Sequence, residues 1–193
     1  MQKINKGNPP AFFLDFIKKS KPKDWNDIAP IREQLRKYIL ENEQKGCCVY
    51  TEIKIEKDKN CHIDHFHTRN LFKNETFAYN NLLVSCNSEE YGAKYKDKQI
   101  KSKADYTFLI NPTVDTPSDY IEYTFTGEME AIGENQKGIQ TINYFNLNEQ
   151  SLVNRRKRVI KNLGSMKDYL TEDELVAAIG EFETMIRQLY RQG

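Results

Sequence analysis

All three histidines of this 193-residue chain fall within six positions, at His62, His65 and His67. Three of its four cysteines, Cys48, Cys61 and Cys86, lie around them. Imidazole and thiol are the scarce side chains that move protons and hold metals. Their concentration places a site between about residues 47 and 97 and makes the two flanks scaffold. A chain with this distribution must fold its ends around its middle.

Hydrophobic periodicity gives a coarse order of elements. Pro9-Pro10 marks an extended lead-in, and residues 11–19 read as a short aromatic helix broken at residues 20–24. A second helix opens at Asp27 or Pro30. It carries Ile31, Leu35, Tyr38 and Ile39 on one face and stops at Lys45-Gly46, with Gly46 as its cap. Residues 47–56 read as a strand, 56–60 as a polar turn and 61–66 as a second strand. Residues 71–80 read as a loop and 81–86 as the start of an apolar segment. The Lys- and Glu-rich stretch 88–105 reads as a mobile surface loop, and 105–111 as a strand or loop anchor. Residues 120–125 and 128–132 form a hairpin about Gly127, and 138–145 is helical. A long helix spans 149–163 and ends at Gly164. A C-terminal helix covers 171–191, with Thr171 and Glu174 at capping-box spacing.

Composition excludes several classes. Lys+Arg number 29 against 28 Asp+Glu, so the net charge of +1 does not suit a globally basic nucleic-acid binder, although a local basic face is still open. No apolar run approaches the length of a membrane span, and the first residues show no apolar core of a secretory signal. The expectation is a cytoplasmic protein with reduced thiols and no membrane partner.

Inside the central segment the order is strand, turn, Ile63-Asp64-His65, loop, Asn81-Leu82-Leu83-Val84-Ser85-Cys86, helix. A carboxylate beside a histidine at a strand end suits phosphodiester chemistry. The carboxylate holds a divalent ion, and the imidazole takes a proton from a water aimed at phosphorus. An asparagine sixteen residues on can fix the loop that carries the histidine through its two donors and one acceptor.

The order Asp64-His65, Asn81-Leu82, Cys86 resembles the HNH, or ββα-metal, endonucleases. Matches outside the core extend the likeness to one subgroup. They are Ile4-Asn5-Lys6-Gly7-Asn8-Pro9-Pro10, Glu43-Gln44 before a glycine, Cys48-Val49-Tyr50-Thr51-Glu52, and Leu109-Ile110-Asn111-Pro112 with Asp115. Phe125-Thr126-Gly127-Glu128 and Leu147-Asn148 with Leu152-Val153 and Arg155-Arg156 complete them. The subgroup is the HNH nuclease subunit of Septu-type anti-phage systems and of some retron defence operons, which stands beside an ATPase with an ABC- or SMC-like head.

The resemblance implies an α+β fold: a ββα-metal element over residues 47–105, an N-terminal helical segment over 1–46 and an α+β, largely helical extension over 106–193. It implies His65 as general base, Asn81 as the residue that orients it, and Asp64 as a ligand of one Mg²⁺ or Mn²⁺. The third position falls on Glu90 by the general spacing and on Asn87 by the Ser-Cys-Asn run. The partners implied are nucleic acid, DNA in the first instance, and the ATPase subunit. The sequence departs from the pattern at the structural zinc. Cys48 and Cys86 retain the first member of each cysteine pair, but Thr51 and Tyr91 stand where their mates would be. Hydroxyls are poor zinc ligands, so a structural zinc is expected to be absent.

Blander readings stand beside these. His62 reads as a half-buried strand residue, and His67, on the face of His65, as a phosphate or metal contact or neither. Cys47 and Cys61 read as small packing residues. The basic runs Arg155–Arg158 and Lys94–Lys103 read as solvated faces or as phosphate contacts. The rival to an endonuclease is a degenerate HNH-fold binding module that keeps the fold and docks on the ATPase.

Overall fold

A computed structural model describes residues 1–56 and 60–192. Pro10 is extended and opens α1 (Ala11–Ser20), which stops at Lys21 in the left-handed region, φ 46°. Asp24 and Asp27 then cap each other's backbone. The Asp24 carboxylate accepts from Asn26 N–H, and that of Asp27 accepts from Asp24 N–H at 3.0 Å. This satisfies the orphan donors of the 3-10 turn Trp25–Ile28, which runs directly into α2 (Ala29–Asn42) with Pro30 in its first turn. α2 buries Leu35, Ile39 and Leu40, a stripe at helical spacing.

β1 (Cys61–His65) pairs antiparallel with β2 (Leu82–Cys86), with Cys61 opposite Cys86, Ile63 opposite Val84 and His65 opposite Leu82. Side chains alternate across a strand. Cys61, Ile63, Leu82 and Val84 therefore share a face, where they pack with Phe13, Trp25, Ile28, Leu35 and Ile39 of the N-terminal helices. Leu83, on the other face, joins a larger core with Val49, Tyr50, Phe66, Ala93 and Tyr106. The two-stranded sheet thus stands between two apolar clusters. α3 (Ala93–Gln99) follows β2.

A second hairpin, β3 (Ile121–Tyr123) with β4 (Met129–Ala131), is followed among the described residues by the α-helices α4 (Gln136–Tyr144), α5 (Gln150–Met166), α6 (Glu172–Ile179) and α7 (Glu183–Gln192). The fold is α+β, as expected. Among the described residues no helix is long and apolar enough to cross a membrane.

Several local expectations differ from the structure. Residues 47–56 do not form a full strand. A single bridge joins Cys47 to Lys54 around a tight turn, in which Glu52 takes φ 60° and donates its N–H to the Cys48 carbonyl. The polar turn expected over 56–60 lies largely outside the described residues. The stretch 88–105 is not a loop but holds α3, and 105–111 falls in a 3-10 turn, Lys103–Phe108, that leads into an extended segment. α5 runs through Gly164 to Met166, since Leu163 and Met166 still pack on the core. The C-terminal segment is two helices, not one. Its Thr171–Glu174 capping box is present, but Gly180 turns left-handed at φ 71° and ends α6. The buried Phe182 then starts the chain back as α7.

Candidate active site

The sheet ends on a cleft of about 400 Å³ lined by Asp64 and His65 with Trp25, Arg69, Asp97 and Lys101, among others. Its two central groups are neighbours on β1, so they leave the strand in opposite directions. His65 turns toward the N-terminal cluster. Its ring centroid lies 4.3 Å from that of Trp25, edge to face at 81°. Its Nε2 lies 3.0 Å from the main-chain oxygen of Thr76. A carbonyl only accepts, so Nε2 carries the hydrogen and Nδ1 is the bare, basic nitrogen. Burial pushes the imidazole down to about 4, against the opposing pull of the Thr76 carbonyl and of Asp64. The ring is therefore neutral at pH 7.

Asp64 turns toward the C-terminal cluster and is buried. The Tyr50 hydroxyl donates to its Oδ2 at 2.5 Å, and the Lys96 ammonium lies 3.1 Å from the same oxygen and 3.4 Å from Oδ1. Burial alone would raise this carboxyl. The Lys96 charge and the Tyr50 hydroxyl outweigh it and hold the group below the usual carboxylate range. Lys96 is itself fully buried on α3. It also donates to the carbonyls of His65 and Phe66 at 2.9 and 3.0 Å.

Asn81 lies behind the cleft and closes the loop between the strands. Its Oδ1 accepts from His67 N–H at 2.7 Å, and its Nδ2 donates to the carbonyls of His67 at 3.0 Å and Glu75 at 3.4 Å. Its own carbonyl accepts from Phe66 N–H. The residue therefore ties both ends of the loop that presents the Thr76 carbonyl to His65.

The other expected positions fall elsewhere. Asn87 is exposed, and its Oδ1 lies 2.9 Å from His62 Nδ1. Glu90 is exposed, and its carbonyl accepts from Asn146. Of Asp64, Asn87 and Glu90, only Asp64 lines the cleft. His62 is half-buried, as expected, and lines it as well. His67 does not share the face of His65, because β1 has ended. It stacks on Phe72 and pairs with Glu75 at 2.7 Å.

Among the described residues, no group of three or more His, Cys, Asp or Glu side chains could hold a metal ion. The donor set does not fit the divalent ion that the resemblance implies. Both Asp64 oxygens are already bound, and their counter-charge is a lysine. Asp97, the one further carboxylate in the cleft lining, lies 3.2 Å from the same ammonium.

Three of the four positions at which the resemblance places zinc ligands lie together. Cys48 Sγ accepts from Cys86 N–H at 3.3 Å, and Thr51 Oγ1 lies 3.9 Å from Cys86 Sγ. Tyr91 is half-buried, and burial raises its hydroxyl above the ordinary phenol value.

Neither basic run is a uniform solvated face. Lys96 is buried at Asp64, whereas Lys101 lines the cleft. Arg156 is fully buried, and its guanidinium donates to the carbonyls of Leu147 at 2.6 Å and Gly127 at 3.0 Å. Gly127 itself takes φ 81°, and a Cβ there would stand 2.8 Å from the Val153 carbonyl. Arg155 pairs with Glu181.

Sequence reasoning does not single out Trp25, Arg69 or Asp97, and it places Lys96 only in a basic run, as a solvated residue or phosphate contact. Lys96 and Asp97 had one available signal. Ala93, Lys96 and Ile100 are buried at spacings of three and four, a helical stripe hidden by the lysines between them. Trp25 carried none, since its site partner is 40 residues away.

No family model matches the chain. Two curated relatives, both named "Septu protein PtuB", are similar to it. That of Bacillus mycoides (strain KBAB4) is 24% identical over 156 residues, 68% of this chain and 53% of the relative. That of Bacillus thuringiensis is 32% identical over 103 residues, 53% of this chain and 37% of the relative. The chain thus matches about half the length of one curated relative and less of the other. At that distance, and over part of their length, it is similar to proteins named Septu protein PtuB.

Proposed function

We propose that the chain is an HNH-type endonuclease, hydrolysing phosphodiester bonds of nucleic acid, DNA in the first instance, as an effector of a Septu-type anti-phage system with an ATPase partner. The observation that carries the reading is the hydrogen bond from His65 Nε2 to the Thr76 carbonyl. It leaves Nδ1 unprotonated on a residue that lines the cleft together with Arg69 and Lys101. The similarity to Septu protein PtuB supports the biological setting.

In this reading a water in the cleft gives its proton to His65 Nδ1 and its oxygen attacks phosphorus; the bond from phosphorus to the 3′ oxygen breaks, and that oxygen takes a proton from solvent, leaving a 5′-phosphate and a 3′-hydroxyl. Arg69 and Lys101 face the charge that develops on the phosphoryl oxygens. An imidazole lowered to about 4 is a ready but weak base. A bound phosphodiester anion would raise its basicity by proximity of charge. Asn81 and Lys96 hold the backbone on either side of the base. No step is assigned to a divalent ion, because Lys96 already neutralises Asp64.

The test is plasmid nicking by the purified protein, with and without Mn²⁺ and EDTA, beside His65→Ala. Cleavage lost in His65→Ala is the expected result. Cleavage that persists in that variant would sink the assignment of the base. A second reading, a binding module that docks on the ATPase and no longer cleaves, is favoured by the same Lys96–Asp64 pair, which closes off the carboxylate. Co-expression with the neighbouring ATPase separates the two: a complex that forms but never nicks supports the module.

A further inference from the structure

We propose that the Lys96 ammonium is the resident cation of the Asp64–Asp97 pair, tethered where a divalent ion would otherwise stand, so that the wild-type chain takes no such ion at Asp64. The inference concerns the same cleft as the hydrolase reading and says what neutralises its carboxylates.

The coordination of the ammonium carries it. Lys96 Nζ lies among five oxygens: Asp64 Oδ2 at 3.1 Å and Oδ1 at 3.4 Å, the carbonyls of His65 at 2.9 Å and Phe66 at 3.0 Å, and Asp97 Oδ1 at 3.2 Å. The rings of Tyr50 and Phe66 flank it, with centroids at 5.9 and 5.8 Å. The side chain has no exposure. Two carboxylates, two carbonyls and two ring faces form an environment for a dehydrated cation, and an ammonium with three donors uses it fully. A Mg²⁺ ion asks for oxygens at about 2.0–2.1 Å. It would have to share this space with a like charge that cannot reach water. Ion and ammonium exclude each other.

The tether has a second effect. By binding the carbonyl of His65 itself, Lys96 fixes the backbone from which the imidazole projects. It is a positioning residue for the base, through a contact that a free ion could leave.

The test reads ion binding, not turnover. Mn²⁺ is titrated into the full chain, and the free-ion signal is followed by electron paramagnetic resonance. Wild type and Asp64→Asn are expected to leave the signal equally undiminished. Lys96→Ala is expected to take up one Mn²⁺ per chain, and the double variant Lys96→Ala/Asp64→Asn to lose that uptake. If Lys96→Ala does not fold alone, recovery of its circular dichroism on adding Mn²⁺ or n-propylammonium, but not in the double variant, gives the same support. Uptake by the wild type that disappears in Asp64→Asn overturns the proposal. So does a folded Lys96→Ala chain that binds nothing, because its oxygens would then form no cation site. A protein that neither nicks DNA nor binds Mn²⁺ would count against the hydrolase reading while supporting this one.

Discussion

The Trp25 ring meets the His65 imidazole edge to face at 4.3 Å, and Trp25 is the only tryptophan in the chain. The 3-10 turn before α2 thus starts against the proposed base, whose burial holds it near 4. A protonated imidazole quenches an adjacent indole. Intrinsic fluorescence should therefore fall on acidification with a midpoint near pH 4, and the transition should vanish in His65→Gln. A midpoint at the ordinary histidine value would show that the contact does not persist in solution.

The same shift sets a pH dependence of stability. The imidazole titrates near 6.5 in the unfolded chain and near 4 in the folded one. Between those values the unfolded state binds the extra proton, so stability is complete above 6.5 and is lost as pH falls toward 4. The full shift corresponds to about 3 kcal/mol, most of it lost by pH 4.5. Urea unfolding at pH 7 and pH 4.5 should show this loss in the wild type, and a much smaller one in His65→Gln.

Asn81→Ala removes three hydrogen bonds that tie His67 and Glu75 together. The loss should be about 2–3 kcal/mol, since backbone groups are left without partners. The signature is local: the His67 amide should exchange with solvent far faster, while amides in β2 stay protected. Equal acceleration throughout would mean a general loss of structure instead.

Arg156 and Arg158 are two residues apart and should behave oppositely. Arg156→Met strips two buried carbonyls of their donor and is expected to cost about 3 kcal/mol. That is a fall in Tm of about 6–12 °C at this chain length. Arg158 is exposed, and Arg158→Ala should stay within about 0.5 kcal/mol. Thermal melts of the two variants decide it.

The proximity of Cys48, Thr51 and Cys86 predicts a gain of function. Thr51→Cys with Tyr91→Cys restores four thiols where Cys48, Thr51 and Cys86 already touch. This variant should bind one zinc per chain, released to a colorimetric chelator on thiol modification, with a higher Tm in zinc than in chelator. Neither single replacement should suffice, because a closed structural site needs four ligands.

What was legible in the sequence was local. β1 and β2 follow from short apolar runs between polar turns; Asp64 and His65 line the cleft at the end of β1, and Asn81, just before β2, ties the loop behind it. Helix α3 is hidden because a run of lysines reads as a solvated or phosphate-binding loop, whereas Lys96 is buried against a charge on a different element. Residues 47–56 alternate like a strand, yet Glu52 bends them into a turn to reach Tyr123 and Thr184, partners that spacing cannot reveal. The third metal position expected at Asn87 or Glu90 rested on spacing along the chain. In space, Asn87 was taken up by His62 and Glu90 lies outside the cleft.

Because His65 and Asp64 leave β1 on opposite sides, each answers to a different half of the molecule. Whatever grips α1 and α2 can retune the acidity of the base through Trp25 without disturbing the carboxylate. Whatever shifts α3 can release the carboxylate without touching the indole. The thin sheet thus gives the cleft two points of control, joined at Lys96, which holds both the Asp64 carboxylate and the His65 carbonyl.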